Sequence, residues 1–347
     1  MQRVNRLRLS CGLRNKPVQW VCAASALLAT VFMSVKAHAD ALLDEPLALS
    51  EHAPFTQRFN LPTMRSGELL VQDSVQWRLG VDVANNFVRD RSGTESLVLD
   101  GESQRYELGV RYGLGSHWEI GAMVPWISYN GGALDNFIED WHRTWGLPDG
   151  GRPNYPARQL QFLYQRNGRI ELNYDRAEAG FGDAQVQIAN QLVQTSRDSI
   201  ALIATFNLPT GDAKKLTGSG GTGAGILLAA THTGWLDLPL ALNANLGVQA
   251  LPRGDVLDAQ QKTSAWFGSG EIAWAVAQNW RLRAQINLHS AIYDSALTAL
   301  GETSTQLLLG GSVRLSPHWV LDAAVGEDIA VDTAPDVMLQ LALKARY

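Results

Sequence analysis

The chain is poor in charge and in cysteine. Charged residues make up 18% of its 347 residues, below the quarter or so that is usual for a soluble globular protein. Its mean hydropathy of -0.10 argues against many helical membrane spans, since repeated stretches of about 20 apolar residues would raise this value well above zero. What is plentiful is glycine, with 32 residues, and tryptophan, with 11. Tight turns and interfacial aromatic residues of this kind favour a β protein.

The first 39 residues have the pattern of an export signal. Five basic and no acidic residues lie between Met1 and Lys16, an apolar stretch follows from Val18 to Val35, and Ala37-His38-Ala39 forms a small-x-small cleavage pattern. We expect cleavage before Asp40, with a retained membrane anchor as the alternative. Both cysteines of the chain lie in this leader. The mature chain then has no thiol, disulfide or cysteine metal site, which suits export through an oxidising periplasm.

The mature chain is acidic. The leader contains six of the 29 basic residues and none of the 34 acidic ones, so residues 40–347 keep 23 basic and 34 acidic residues, a formal net charge of -11. A surplus of negative charge repels phosphate backbones. Nucleic acid is therefore not an expected partner.

From Ser74 onward, apolar and polar residues alternate with a period of two. In the first such segment Val75, Trp77 and Leu79 share one face, and Gln76 and Arg78 share the other. Most segments are close to the length of about 9 to 11 residues that a tilted strand needs to cross a bilayer. The predicted strands lie near 74–85, 103–113, 117–128, 181–193, 199–209, 221–232, 237–250, 263–276, 280–291, 304–314, 319–327 and 336–347.

The connections between these segments alternate between short turns and longer links, such as 86–102 and 129–180. This alternation is typical of outer-membrane barrels, which have tight periplasmic turns and larger external loops. We predict an all-β fold: a transmembrane up-and-down antiparallel β-barrel of about 12 strands over 74–347, preceded by an irregular segment over 40–73. A soluble β-sandwich would show the same period of two, so periodicity alone does not separate the two folds.

Large aromatic residues separate the two folds better, because they fall near strand ends. Outer-membrane barrels carry aromatic girdles at both membrane interfaces, whereas a sandwich concentrates such residues in its core. The last strand also alternates up to Tyr347 and resembles the terminal strand that the barrel-assembly machinery recognises. We therefore expect an outer-membrane location, with membrane lipid and that machinery as partners. The predicted girdle residues are Trp77, Trp118, Trp126, Trp266, Trp274, Trp280, Trp319 and Tyr347.

If the apolar face meets lipid, the opposite face turns charges of both signs into the barrel. Two interpretations stay open: the charges pair across strands and fill the interior, or they line a narrow water-filled pore and set its ion preference. The predicted lumen-lining residues are Arg78, Asp82, Glu107, Arg111, Glu119, Glu271, Arg281, Arg283, Arg314, Lys344 and Arg346, with Asp183 and Asp322 on the same face.

Two regions lie outside the strand pattern. Residues 40–73 contain Pro46, Pro54 and Pro62 with scattered apolar residues, and they predict either a plug inside the barrel or a periplasmic tail. The external loop 129–180 contains a helical apolar pattern over 133–145, which predicts a helix over the barrel mouth. Further along this loop, Asn167-Gly168 predicts an external hairpin over 159–174, which leaves the strand count uncertain by about two.

Motifs of enzymes and cofactor sites are weak. Gly218, Gly220 and Gly223 have G-x-G-x-x-G spacing, but the preceding residues do not end a strand and no amphipathic helix follows. No mature histidine has a second histidine at the spacing of a zinc site. His289 and Ser290 are adjacent and point to opposite faces of a strand, so they cannot form one catalytic pair. The sequence predicts no catalytic, cofactor-binding or metal residue.

Several motifs of the mature chain resemble a known family. Together they are similar to an uncharacterised family of Gram-negative outer-membrane proteins classed as a domain of unknown function. Others resemble the outer-membrane family associated with phenol meta-pathway degradation, whose members are presumed transporters of small, often hydrophobic compounds. The motifs similar to the first family are Pro46-Leu47 with Phe59-Asn60-Leu61-Pro62, Trp141-His142 with Gly146 to Arg152, and Gly180-Phe181-Gly182-Asp183. The motifs similar to the second family are Tyr112 to Leu114 with Trp118 to Gly121, Gly180 to Asp183, and Leu208 to Asp212.

These observations favour a passive channel or transport protein for small solutes. The alternatives are a non-conducting barrel that supports the envelope or displays its loops, and an outer-membrane enzyme. A conducting pore would distinguish the first from the second.

Overall fold

The computed structural model describes residues 42–132, 134, 140, 143–144, 146, 154–254, 256–329 and 333–347. The predicted leader with its cleavage site, and most of the predicted helix over 133–145, lie outside the described residues. Among the described residues, no helix has the length and apolar character needed to cross a membrane.

Fifteen β-strands of the described residues belong to one sheet. In the part of the chain that the structure describes, single-turn α-helices α1 (Pro54–Gln57) and α2 (Thr298–Gly301) accompany them, with short 3-10 helices at Ala213–Lys215 and Trp235–Asp237. The strands are β1 (Val75–Ser92), β2 (Glu95–Leu114), β3 (Trp118–Asn130), β4 (Gln161–Arg166), β5 (Arg169–Tyr174), β6 (Glu178–Phe181), β7 (Ala184–Gln194), β8 (Asp198–Leu208), β9 (Gly223–Thr233), β10 (Leu240–Ala250), β11 (Ser264–Ala277), β12 (Trp280–His289), β13 (Ser304–Ser316), β14 (Trp319–Asp328) and β15 (Val337–Arg346).

Twelve of these strands close into a ring. β1 pairs with β2 on one side and with β15 on the other, and β3 pairs with both β2 and β7. From β7 to β15 each strand pairs antiparallel with the next one in the chain. The predicted all-β barrel of about twelve antiparallel up-and-down strands is therefore confirmed.

The other three strands belong to the same sheet but are not members of the closed ring. β4 pairs with the first residues of β2, β5 pairs with β4, and β6 pairs with the last residues of β3. Asn167 and Gly168 connect β4 to β5 with φ values of 53° and 73°, the left-handed conformation that Asn-Gly hairpin turns adopt. The predicted external hairpin is present, and the ring count stays at twelve.

The first hairpin differs from the sequence-based expectation. Residues 86–102 were expected to form a link, but β1 continues to Ser92, and β2 begins at Glu95. The reason is that the start of this extension, Asn86 to Val88, is buried on both faces, and its end, Arg89 to Ser92, is polar on both faces. A strand covered on both faces has no alternation of apolar and polar residues by which it can be recognised.

The strand faces follow the predicted parity. Along β1, Trp77 and Leu79 are exposed on the outer surface, whereas Gln76 and Asp82 are buried on the inner one. The short turns all lie at one end of the ring, where the chain enters β1 and leaves β15. There Val75 and Tyr347 exchange two backbone hydrogen bonds of 2.8 and 2.9 Å.

Candidate functional site: the barrel lumen

The segment that precedes the first strand lies inside the ring. Residues 42–73, called the luminal segment below, hydrogen-bond with ten of the twelve ring strands within the described residues. Apolar clusters join the segment to the remaining two strands through Leu308 on β13 and Val320 on β14. A chain that contacts strands on every side of a closed ring must lie within it.

The luminal segment first climbs along β12, from the short-turn end of the barrel towards the long-loop end. The Leu43 carbonyl accepts a hydrogen bond of 2.5 Å from Arg283, and the Leu49 carbonyl accepts one of 2.8 Å from Asn287. Both leucine side chains are buried. Polar backbone atoms of the segment thus find partners among the inward side chains of the strand.

The segment turns at the long-loop end. α1 begins at Pro54, because the fixed φ of proline suits the first helical position. Arg58 is fully buried, and its Nη2 donates to the Ser219 carbonyl at 2.9 Å. Asn60 has a left-handed φ of 50°, which asparagine tolerates, and its Nδ2 donates to the Asp183 carbonyl at 3.2 Å. These bonds fix the turn to the loops that follow β6 and β8.

Three motifs that carried the sequence resemblance meet at this turn. The Asp183 carboxylate accepts hydrogen bonds from the Gly211 N–H at 3.0 Å and from the Ser219 N–H at 2.8 Å. It therefore joins the Gly180 to Asp183 motif to the Leu208 to Asp212 motif. The Asn60 side chain of the Phe59 to Pro62 motif donates a hydrogen bond to the backbone carbonyl of the same aspartate. The motifs thus have a structural role in closing the long-loop end.

The segment then descends along β7 to the short-turn end. Arg65 Nη1 donates to Gln187 Oε1 at 2.9 Å, and further down the Leu69 N–H donates to Gln191 Oε1 at 2.9 Å. The luminal segment thereby forms two legs that span the height of the barrel. Its path ends beside the entry into β1.

None of the eleven charged residues predicted to line the lumen is exposed. Arg78, Arg314 and Arg346 are half-buried, and the other eight are buried. Ion pairs join inward residues of neighbouring strands, among them Arg283–Glu271 at 2.6 Å, Arg78–Glu107 at 2.6 Å, Lys344–Asp322 at 2.9 Å and Arg111–Glu119 at 3.6 Å. The part these residues play in a solute path stays a prediction.

The luminal segment supplies counter-charges for other wall residues. With Asp183 and Asp322 included, the predicted inward set has seven basic and six acidic members. The segment contributes three further acids, Asp44, Glu45 and Glu51, and the basic residue Arg65. The pairs between wall and segment include Arg281–Asp44 at 2.5 Å, Arg111–Glu45 at 2.5 Å, His289–Glu51 at 2.5 Å, Glu119–Arg65 at 2.7 Å, Asp82–His52 at 3.1 Å and Arg346–Glu45 at 3.5 Å. Buried charges that are paired and hydrogen-bonded avoid much of the desolvation cost.

Glu45 shows how strongly these positive charges act inside the barrel. Burial by itself would raise the pKa of this carboxyl, but the charges of Arg111, Arg65 and Arg346 outweigh it and lower the pKa to about 2. Glu45 is therefore ionised at any physiological pH. Its carboxylate holds the start of the luminal segment against β2 and β15.

These segment residues were missed by sequence reasoning, which identified only prolines and apolar residues between 40 and 73. The signal was present as the charged residues of the segment itself, since Asp44, Glu45 and Glu51 precede the first strand. Charged side chains that enter a closed barrel need partners on its inner face. The partner of each acid, however, depends on the path of the segment through the lumen.

All eight predicted girdle residues are exposed on the outer surface, with exposed fractions of 39 to 60%. Trp77 and Trp319 face the same residue, Ala345, from the two strands that flank β15. Trp126 contacts Phe181 edge to face, with 4.9 Å between ring centroids. Their contact with lipid stays a prediction.

The remaining polar groups do not form an enzyme-like arrangement around Ser290. Its Oγ accepts a hydrogen bond from the Trp266 N–H at 3.2 Å, and His289 uses Nδ1 for the Ser290 carbonyl at 2.8 Å and Nε2 for Glu51. Among the described residues, no group of three or more histidine, cysteine, aspartate or glutamate side chains could hold a metal ion.

A closed antiparallel twelve-stranded ring with an apolar outer face and a charged interior has the fold of outer-membrane barrels. The sequence then identifies the family: residues 23–347 match the family described as "Protein of unknown function (DUF3187)". Because the match spans more than half of the chain, the chain belongs to this family. The resemblance to an uncharacterised barrel family of unknown function is thereby confirmed. No curated protein matches the chain significantly in sequence.

Solved structures with a similar fold are outer-membrane channels and transporters. The COG4313 outer membrane channel from Pseudomonas putida F1 is 11% identical with a TM-score of 0.53, and the match covers 81% of this chain and 97% of that one. The NanC porin is 9% identical (TM-score 0.41, covering 78% and 97%), and the Ralstonia pickettii toluene transporter TbuX is 12% identical (TM-score 0.39, covering 87% and 95%). At these identities the first similarity establishes the fold.

Proposed function

We propose that the protein is an outer-membrane channel for small solutes that its luminal segment keeps closed. The observation that carries this proposal is the position of residues 42–73, which contact strands on all sides of the ring and occupy its interior. Solute passes when part of the segment moves away from the wall. The channels and porins of similar fold support a transport role, as opposed to an enzymatic one.

The proposal places the aromatic girdle at the two membrane interfaces, where the amphipathic rings of tryptophan and tyrosine are most stable. After export and removal of the leader, the C-terminal strand ending at Tyr347 would engage the barrel-assembly machinery. The short-turn end, where the segment enters the lumen, would then face the periplasm. The charged inner face would be the solute path, with the luminal segment as its gate.

The segment is suited to moving because much of its attachment consists of separate polar contacts. Hydrogen bonds such as that from the Leu69 N–H to Gln191 can be exchanged for bonds to water. The ascending leg buries Leu42, Leu43, Leu47 and Leu49 in apolar clusters with the wall. Residues 62–70 of the descending leg contribute one residue, Leu69, to such a cluster, against β7, β8, β9 and β11. We therefore expect the descending leg, residues 61–70, to be the part that moves.

One observation favours a non-conducting barrel as the second candidate. At the long-loop end the Glu95 carboxylate accepts hydrogen bonds from Ser295 at 2.6 Å and from Tyr164 at 3.0 Å. These bonds tie the first hairpin, β4 and the loop after β12 together over the mouth. A barrel closed in this way could present its loops to a partner without conducting.

Planar-bilayer recording distinguishes the two candidates. Residues 40–347 should give small, infrequent current steps, and removal of residues 40–67 should raise both step size and open time. Folding of each protein is checked first by the shift in gel mobility on heating. A folded barrel that does not conduct after this deletion contradicts the channel proposal and favours the loop-display role.

A further inference from the structure

A cavity of about 90 Å³ lies between the luminal segment and the wall. Both legs of the segment line it, together with β1, β2, β3, β7 and β15. This volume is large enough for several water molecules, so it also has room for a small ion. The charged side chains around it are Arg65, Arg78, Arg111, Lys344, Glu45 and Glu107.

Four cationic and two anionic side chains line this cavity. Lys344 pairs with Asp322 at 2.9 Å, outside the lining. When all ion-pair partners of the lining are included, six cationic side chains share four acids, so positive charge still outnumbers negative charge. Glu107 already has two guanidinium partners, Arg78 at 2.6 Å and Arg105 at 3.3 Å. Glu45 likewise has Arg111 at 2.5 Å and Arg346 at 3.5 Å. The acids of the lining are thus each shared between two cations.

Arg65 adds to this surplus. It shares Glu119 with Arg111, at distances of 2.7 and 3.6 Å. Its buried Nε has no hydrogen-bond acceptor within the described part of the chain. Burial lowers the pKa of Arg65, and the nearby charge of Arg111 lowers it further, although Glu119 and Glu45 oppose both effects. Guanidinium groups are therefore crowded together beside water-sized space.

We propose that this cavity binds a small monovalent anion, such as chloride or a short carboxylate. The anion would supply the negative charge that the lining lacks, and the low dielectric of the interior would strengthen its attraction to the guanidinium groups. The inference deepens the proposed channel function, because it makes small anions the solute class that the closed lumen accepts. Binding itself does not require the channel to open.

The test is chloride-35 NMR on residues 40–347 folded in detergent micelles, with sodium chloride as the probe. Exchange of chloride with a protein site broadens the resonance, and sodium-23 in the same sample reports cation binding. We expect excess chloride broadening that sodium acetate displaces. Gln187→Glu should reduce this broadening about fivefold, because it places a negative charge at the cavity while Oε1 still accepts the bond from Arg65.

The matched control is Gln165→Glu in β4. Its Oε1 accepts a hydrogen bond from Ser96, so the same substitution keeps the same kind of bond away from the cavity. This variant should broaden chloride as the unmodified chain does. Equal broadening in all three proteins, or a loss of equal size in both variants, would overturn the anion site.

Arg78→Gln provides a second test that does not depend on an added charge. Glu107 keeps Arg105 as its partner in this variant, so the barrel should fold, and chloride broadening should fall by at least half. Unchanged broadening would contradict the proposal. If the barrel binds chloride but never conducts, the channel function is refuted and the anion site is retained. If the barrel conducts but does not bind chloride, the anion site is refuted and the channel function is retained.

Discussion

Arg283 and Glu271 form an ion pair whose two side chains are fully buried, with 2.6 Å between Nη1 and Oε1. The same carboxylate accepts hydrogen bonds from Asn243 and from the Leu47 N–H. The pair therefore connects β11 and β12 to the ascending leg of the luminal segment. Removing one partner would leave a buried charge without its counter-charge.

Arg283→Met should destabilise the folded barrel by about 3 to 5 kcal/mol, the usual cost of breaking a buried pair on one side. Adding Glu271→Gln should recover at least half of this loss, because the amide carries no charge and keeps an acceptor oxygen. Urea unfolding of the detergent-folded protein measures both values.

The control variant Arg197→Met breaks the exposed Arg197–Asp237 pair and should have little effect on the free energy of unfolding. A loss of equal size there would contradict this account.

The ionisation of Glu45 makes the free energy of unfolding of the barrel depend on pH in the acid range. Its folded pKa of about 2 lies below the ordinary value of 4.5, so its contribution is complete above about pH 5 and disappears as the pH falls towards 2. The shift corresponds to about 3 kcal/mol. Glu45→Gln should therefore be less stable than the unmodified chain at pH 6, and the difference should shrink to near zero by pH 2. A difference that does not change with pH would contradict the ion pairing.

For single residues, the sequence predicted which face of a strand a side chain lies on, but it did not predict which residue that side chain contacts. Period-two parity placed Arg283, Glu119 and Lys344 on the inner face, because successive side chains of a strand must point in opposite directions. It could not assign Asp44 to Arg281 or Glu45 to Arg111. Those pairs join residues far apart in the chain, and they depend on a segment that has no regular periodicity.

Among the elements, the β4–β5 hairpin shows what local chemistry can predict. Asn167-Gly168 identified its turn, because few other dipeptides adopt left-handed φ at both turn positions. Whether the hairpin entered the ring could not be predicted, since that depends on where β3 ends. In the structure β3 stops at Asn130, and β4 takes its place beside the first residues of β2.

Replacing residues 161–174 with a short glycine-serine linker should leave the twelve-stranded ring able to fold. The heat-modifiable band on a gel should persist, with a lower melting temperature, because Phe162 and Tyr164 leave the apolar cluster around Tyr129. The control removes β13 and β14, which are part of the ring, and should abolish the folded band. Loss of folding in the hairpin variant would show that the ring needs this element.

For the whole molecule, each of the twelve predicted segments corresponds to one ring strand, because each has one face towards solvent or lipid and one towards the interior. The exceptions are the first hairpin beyond residue 85, which is buried on both faces at Asn86 to Val88, and the luminal segment, most of whose residues are buried. A segment that lies inside the barrel without forming a strand has no regular alternation of apolar and polar residues by which its position can be predicted. The architecture of the wall was therefore predictable, whereas for residues 40–73 the sequence left a plug and a periplasmic tail as open alternatives.

The central claim, that the luminal segment gates the lumen, is tested most directly by fixing it in place. Residues 40–347 contain no cysteine, and Ser66 Oγ lies 3.1 Å from Thr231 Oγ1 on β9. A disulfide between Ser66→Cys and Thr231→Cys should abolish current steps in planar bilayers, and reduction of the same molecules should restore them. Equal conductance in the oxidised and reduced forms would contradict a gate formed by the descending leg.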